Sequence, residues 1–100
     1  MASPATLIFR ARFVYVDGAM REMVLWKLPQ PTLQGPHGFR YRLHYNSADG
    51  RAVVRYDNEA GKDDPRHIDG QERRYQFQSV EVLLDDFLRV TERLRRSQNP

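Results

Sequence analysis

Residues 6 to 28, TLIFRARFVYVDGAMREMVLWKL, hold the pattern that most restricts the fold. In the first half, Leu7, Phe9, Ala11, Phe13 and Tyr15 alternate with residues that include Arg10 and Arg12. Successive side chains of an extended chain point to opposite faces, so a period of two predicts a strand with one apolar and one basic face. Asp17-Gly18 then reads as a two-residue hairpin turn, in which both positions take positive φ, tolerated by Asp and preferred by Gly. The return stretch from Ala19 to Leu28 alternates less regularly: Met20, Val24, Trp26 and Leu28 share a face with Glu22, while Met23 and Leu25 point the other way. Such a strand is covered on both sides near its middle.

The same logic extends the sheet. PQPTLQGPHG, residues 29 to 38, is a loop by its prolines and glycines. FRYRLHYN then sets Phe39, Tyr41, Leu43 and Tyr45 opposite Arg40, Arg42 and His44, and after the SADG turn RAVVRYD sets Ala52, Val54 and Tyr56 opposite Val53 and Arg55. Short turns between strands imply an antiparallel meander. RYQFQ, residues 74 to 78, is a further short β-like run. From Ser79 onward the period changes to that of a helix, with Val80, Leu83, Leu84, Phe87 and Leu94 forming an apolar stripe. Ser79 suits the N-cap, and Glu81 early with Arg93, Arg95 and Arg96 late suits the macrodipole. The expected fold is therefore α+β: a four- to five-stranded antiparallel meander over about 6–57, a polar segment at 57–72, and one helix over about 79–96 packed on one sheet face, in a single domain spanning 1–100.

With 100 residues there is room for one modest core. No apolar run approaches the roughly 18 residues of a membrane span, and the opening MASPATLIFR lacks the features of a secretory leader, so a cytoplasmic protein without membrane association is expected. With no cysteine, disulfides and thiolate chemistry are excluded. The net charge of +3 is unevenly spread: residues 1–56 hold eight basic against three acidic side chains, and residues 57–74 hold four against six. A basic front half favours a polyanion or an acidic protein partner.

Two groups of residues carry possible chemistry. Arg10, Arg12, Arg40, Arg42, His44 and Arg55 fall on the face opposite the apolar one, a grid of planar donor forks suited to the phosphates of a nucleic acid. An open antiparallel sheet also needs one polar face merely for solvation, and that plain explanation stands beside the first. The polar segment gathers Asp57, Asn58, Lys62, Arg66 and His67. A histidine near neutrality can move a proton at a phosphodiester while Arg66 and Lys62 hold its charge and Asp57 orients them. A solvated loop punctuated by Gly61, Pro65 and Gly70 is the alternative. The histidines His37, His44 and His67 lack the spacing of a familiar metal site, so no metal or other cofactor is expected. No phosphate-binding glycine loop or nucleophile elbow is present.

The order of these stretches resembles the TumE family of small bacterial toxins across most of the chain. The resemblance is carried by Tyr56-Asp57-Asn58, Gly61-Lys62, Arg66-His67, the Asp69-Gly70 turn, and Tyr75 with Phe77 ahead of the helix. It implies the toxin of a two-component toxin-antitoxin system, with a helix-turn-helix antitoxin as partner and RNA or the ribosome as target. A metal-independent endoribonuclease is one form of this; a non-catalytic RNA- or ribosome-binding module, or a domain that chiefly binds its antitoxin, are the others. The residues expected to matter are Asp57, Asn58, Lys62, Arg66 and His67. In the family pattern a histidine often precedes the Arg-His pair, whereas this chain has Pro65. A mechanism needing two histidines must then recruit His44 or His37. A free sheet edge also leaves room for a homodimer.

Overall fold

The computed structural model describes residues 5–32, 36–58 and 64–98. Six strands, β1 (Thr6–Val14), β2 (Met20–Lys27), β3 (Phe39–Asn46), β4 (Ala52–Asp57), β5 (Asp64–Ile68) and β6 (Gln71–Tyr75), form one antiparallel sheet in sequence order, followed by the helix α1 (Val80–Gln98). The α+β meander with a C-terminal helix is as expected, but the sheet has six strands rather than four or five. Strand β5 was unforeseen and the run expected at 74–78 begins earlier, as β6; together they fold much of the polar segment into a hairpin. Asp69 and Gly70 both take positive φ, 50° and 85°, and close it with a two-residue turn.

The same dipeptide behaves differently at Asp17-Gly18. There only Gly18 has positive φ, and the amide of Gly18 donates to the carbonyl of Tyr15 while Tyr15 N donates to Ala19 O. This is a three-residue loop with glycine in the left-handed position, so the two-residue turn expected there is corrected. Asp17 binds the loop down: its Oδ1 accepts from Ala19 N at 2.9 Å and its Oδ2 meets Arg95 at 3.3 Å.

Two irregularities modify the alternation. Between Leu7 and Phe9 the register with β2 shifts, so Leu7 stands opposite Trp26 and leaves the apolar face it was expected to share with Phe9. A second shift between Tyr45 and Asn46 admits Val53 as an extra residue, and both Val53 and Val54 are buried.

The core lies between the helix and one face of the sheet. Leu25, Tyr41, Leu43, Tyr45, Val54 and Tyr56 supply the sheet side, and Leu83, Phe87 and Thr91 the helix side, all essentially inaccessible. The phenyl ring of Phe87 meets Tyr56 edge-on at 5.8 Å. Ser79 caps the helix, its Oγ accepting from Val82 N at 3.1 Å, an interaction worth about 1 kcal/mol. At the other end Arg95 lies 3.6 Å from the centroid of Tyr15 and donates to the Tyr45 hydroxyl at 3.0 Å. The helix is thus tied to the β1–β2 hairpin at its C-terminal end and, through Tyr75 and Asp86 at 2.7 Å, to β6 nearer its start. Among the described residues no helix is long and apolar enough to cross a membrane.

Candidate functional site

In an antiparallel ladder, residues directly opposite each other share a face, so the register dictates what the outer face presents. Arg12 pairs with Glu22, Glu22 with His44, His44 with Arg55, Arg55 with His67, and His67 with Glu72. One continuous row of charged and titratable side chains therefore crosses all six strands on the side away from the helix. The neighbouring row runs Arg10, Val24, Arg42 and Asp57. Adjacent strands are about 4.8 Å apart and rows about 7 Å.

At the centre of the first row, Arg55 stands between two histidines. His44 Nε2 lies 3.3 Å from Glu22 Oε1, both side chains about one-fifth exposed. His67 Nε2 lies 3.8 Å from Glu72 Oε2, a looser and more exposed pair that adds little stability. Each imidazole thus has a carboxylate on the side away from Arg55. Arg55 Nε donates to Asp57 Oδ2 at 3.0 Å, which fixes its side chain along the strand; Asp57 is largely covered while Arg55 is open to solvent. The guanidinium is held without being hidden.

Of the residues expected to form the sites, Arg10, Arg12, Arg40, Arg42, His44, Arg55, Asp57 and His67 belong to this face by register. Arg66 does not. It pairs with Tyr56, on the helix side, donates to the Tyr56 hydroxyl at 3.3 Å and lies about 6 Å from the Tyr56 and Tyr75 rings. Neighbours in sequence, Arg66 and His67 point to opposite faces of one strand. Asn58 is buried, its Oδ1 accepting from Tyr41 N at 2.9 Å and its Nδ2 donating to Phe39 O at 2.8 Å, so both ends of its amide are engaged by β3. Lys62 lies outside the described residues. His37 stacks on Phe77 at 3.8 Å, and its Nδ1 accepts from Phe39 N.

Pro65 fits β5 for a simple reason. The β4–β5 ladder ends at Tyr56 and Arg66, so Pro65 stands beyond it, where a missing amide hydrogen breaks no bond to β4.

One residue of the outer face, set beside Glu22 by its alternation, was not among the expected site residues. Trp26 pairs with Arg40 and lies 5.8 Å from the Arg42 guanidinium, part-exposed and about 14 Å along the sheet from the histidine row. Its alternation with Glu22 was the available signal. Beneath the helix, burial raises the phenol pKa of Tyr56 and Tyr75, and for Tyr75 the acceptor Asp86 raises it further. Among the described residues no three metal-ligating side chains converge.

A family model described as Toxin TumE matches residues 1–95. No curated protein and no solved structure matches the chain.

Proposed function

The chain belongs to the TumE toxin family, and from that premise we propose that it acts on RNA as a metal-independent endoribonuclease whose chemistry runs through the row His44, Arg55 and His67. The observation that carries this is the placement of two imidazoles on either side of one exposed, anchored guanidinium. The strands bearing the histidines are two spacings, about 10 Å, apart, so the two rings flank a single phosphate once they turn from Glu22 and Glu72 toward Arg55.

In this scheme His67, the more exposed imidazole, takes the proton of a ribose 2′-hydroxyl as its oxygen attacks phosphorus. The bond from phosphorus to the 5′-oxygen breaks, and His44, hydrogen-bonded to Glu22, acts in its protonated form and gives its proton to the leaving oxygen. Arg55 stabilises the charge on the non-bridging oxygens, with Arg42 beside it in the next row. The product is a 2′,3′-cyclic phosphate and a free 5′-hydroxyl. Arg10, Arg12 and Arg40 bind the flanking strand, and Trp26 supplies a ring for base stacking, as single-stranded RNA commonly requires. The helix-turn-helix antitoxin is the cognate inhibitor, and the site of action is cytoplasmic.

Controlled expression in bacteria tests the proposal, with growth and total RNA followed for the wild type and for His67→Ala. Arrest by the wild type alone, accompanied by RNA fragments, supports it. Equal arrest by both chains with intact RNA contradicts it and points to an inhibitor that occupies an acidic target without cutting it.

A further inference from the structure

The large apolar side chains that stand open to solvent among the described residues are confined to the first hairpin: Leu7, Ile8, Phe13 and Val14, each about half exposed, and Val16, wholly so. Four of them lie on β1, nine residues long and at the edge of the sheet with β2 as its one partner. A long apolar edge is an aggregation hazard unless something pairs with it. At the opposite edge, β6 is five residues long and carries Glu72, Arg73 and Arg74, the short charged design that resists pairing.

The charge of β1 selects its occupant. It contains Arg10 and Arg12, both exposed, and no acidic residue. Full antiparallel overlap with a second copy sets Arg10 against Arg10, and a shift of two residues sets Arg10 against Arg12, like charges directly opposite in either register. A second copy is therefore a poor match.

We infer that the outer edge of β1 receives an extended segment of the antitoxin, added as a seventh strand, in which acidic residues alternate with apolar ones. This rests on the toxin-family membership and not on the chemistry of the histidine row. The register of β1 specifies the pattern: acidic side chains face Arg10 and Arg12 on the outer side, and apolar ones face Phe9, Ala11 and Phe13 on the helix side. Main-chain hydrogen bonds along β1 supply affinity, and the alternation supplies specificity. The added carboxylates lie at the end of the Arg12 row and occupy Arg10 and Arg12, two of the arginines proposed above to bind the flanking RNA strand. Neutralisation then follows from lost RNA binding, without any antitoxin group reaching His67.

Amide hydrogen exchange on the free chain and on its complex with the cognate antitoxin tests this, together with the complex affinity of three variants. Alternate amides of residues 6–14 are expected to gain at least tenfold protection in the complex. Phe13→Ser, and Arg10→Glu with Arg12→Glu, are expected to weaken the complex tenfold or more, with affinity falling as salt rises, while Arg73→Glu on the far edge leaves it unchanged. Unaltered exchange over β1 in the complex overturns the inference, as does β1 protection in the free chain that grows with its concentration. A His67→Ala chain that remains toxic refutes the proposed chemistry and leaves this interface standing; an unprotected β1 does the reverse.

Discussion

His44 and His67 share one row of the outer face with Arg55 between them, because the register pairs Arg55 with the first on β3 and with the second on β5. Neither histidine is near the other in sequence; β4 aligns them, and β5, which bears His67, has Pro65 immediately before the Arg66-His67 pair. The pairing of β4 with its two neighbours therefore offers a partner for His67 from a different strand. Replacing His44 by Ala is expected to lower RNA cleavage about 100-fold or more, the usual worth of a positioned acid or base. Arg55→Ala is expected to act similarly, and Arg55→Lys to recover only part, since lysine lacks the planar fork. Rates on a short RNA substrate, with circular dichroism confirming the fold, check all three.

Asn58 separates a structural from a chemical role. Both ends of its buried amide bond the β3 backbone, so Asn58→Ala strands an amide and a carbonyl at a cost of about 2–4 kcal/mol. Any loss of toxicity in this variant should track the loss of folded protein. Urea unfolding of Asn58→Ala, compared with its residual activity per folded molecule, checks this.

Alkaline stability reports on the polar network under the helix. Burial, with the Asp86 acceptor added, holds the Tyr75 phenol proton more tightly in the folded chain than in the unfolded one. The corresponding stability is complete below the ordinary phenol value of about 10 and is lost as pH rises above it. Tyr75→Phe is expected to cost about 1 kcal/mol at neutral pH, by loss of one hydrogen bond, and to flatten the decline above pH 10. Tyr56, raised by the same burial, keeps part of that slope. Denaturation midpoints measured from pH 8 to 11 test the sign.

Trp26 is the sole tryptophan and reports on its own surroundings. Single-stranded RNA is expected to quench its fluorescence, and Trp26→Ala to weaken binding by about 1–3 kcal/mol, the worth of one stacked base. Trp26→Phe should keep most of the affinity. Quenching should survive His67→Ala, which separates binding from cleavage.

The meander and the helix were legible because β1, β3 and β4 alternate clearly and because Ser79, Leu83 and Phe87 carry a helical period with its cap. The β5–β6 hairpin was not, since DPRHI and QERRY have one large apolar residue at an end, Ile68 and Tyr75, and no apolar alternation between. Their pairing comes from the Asp69-Gly70 turn, which is visible in the sequence, and from the free edge of β4, a tertiary fact that a local pattern lacks. The basic face could be inferred from alternation within single strands. The row that joins His44, Arg55 and His67 could not, because it depends on register between strands. For the same reason Arg66 and His67 looked like partners in sequence, although adjacent residues of a strand face apart.

The most direct test of the account is cleavage of a labelled RNA by purified wild-type and His67→Ala chains in the presence of a chelator, with the ends of the products identified. The account predicts wild-type fragments ending in 2′,3′-cyclic phosphate and 5′-hydroxyl, and a His67→Ala chain of unchanged fold that cuts at least 100-fold more slowly. Equal cleavage by the two chains would contradict it, as would a wild-type chain that binds RNA without cutting it.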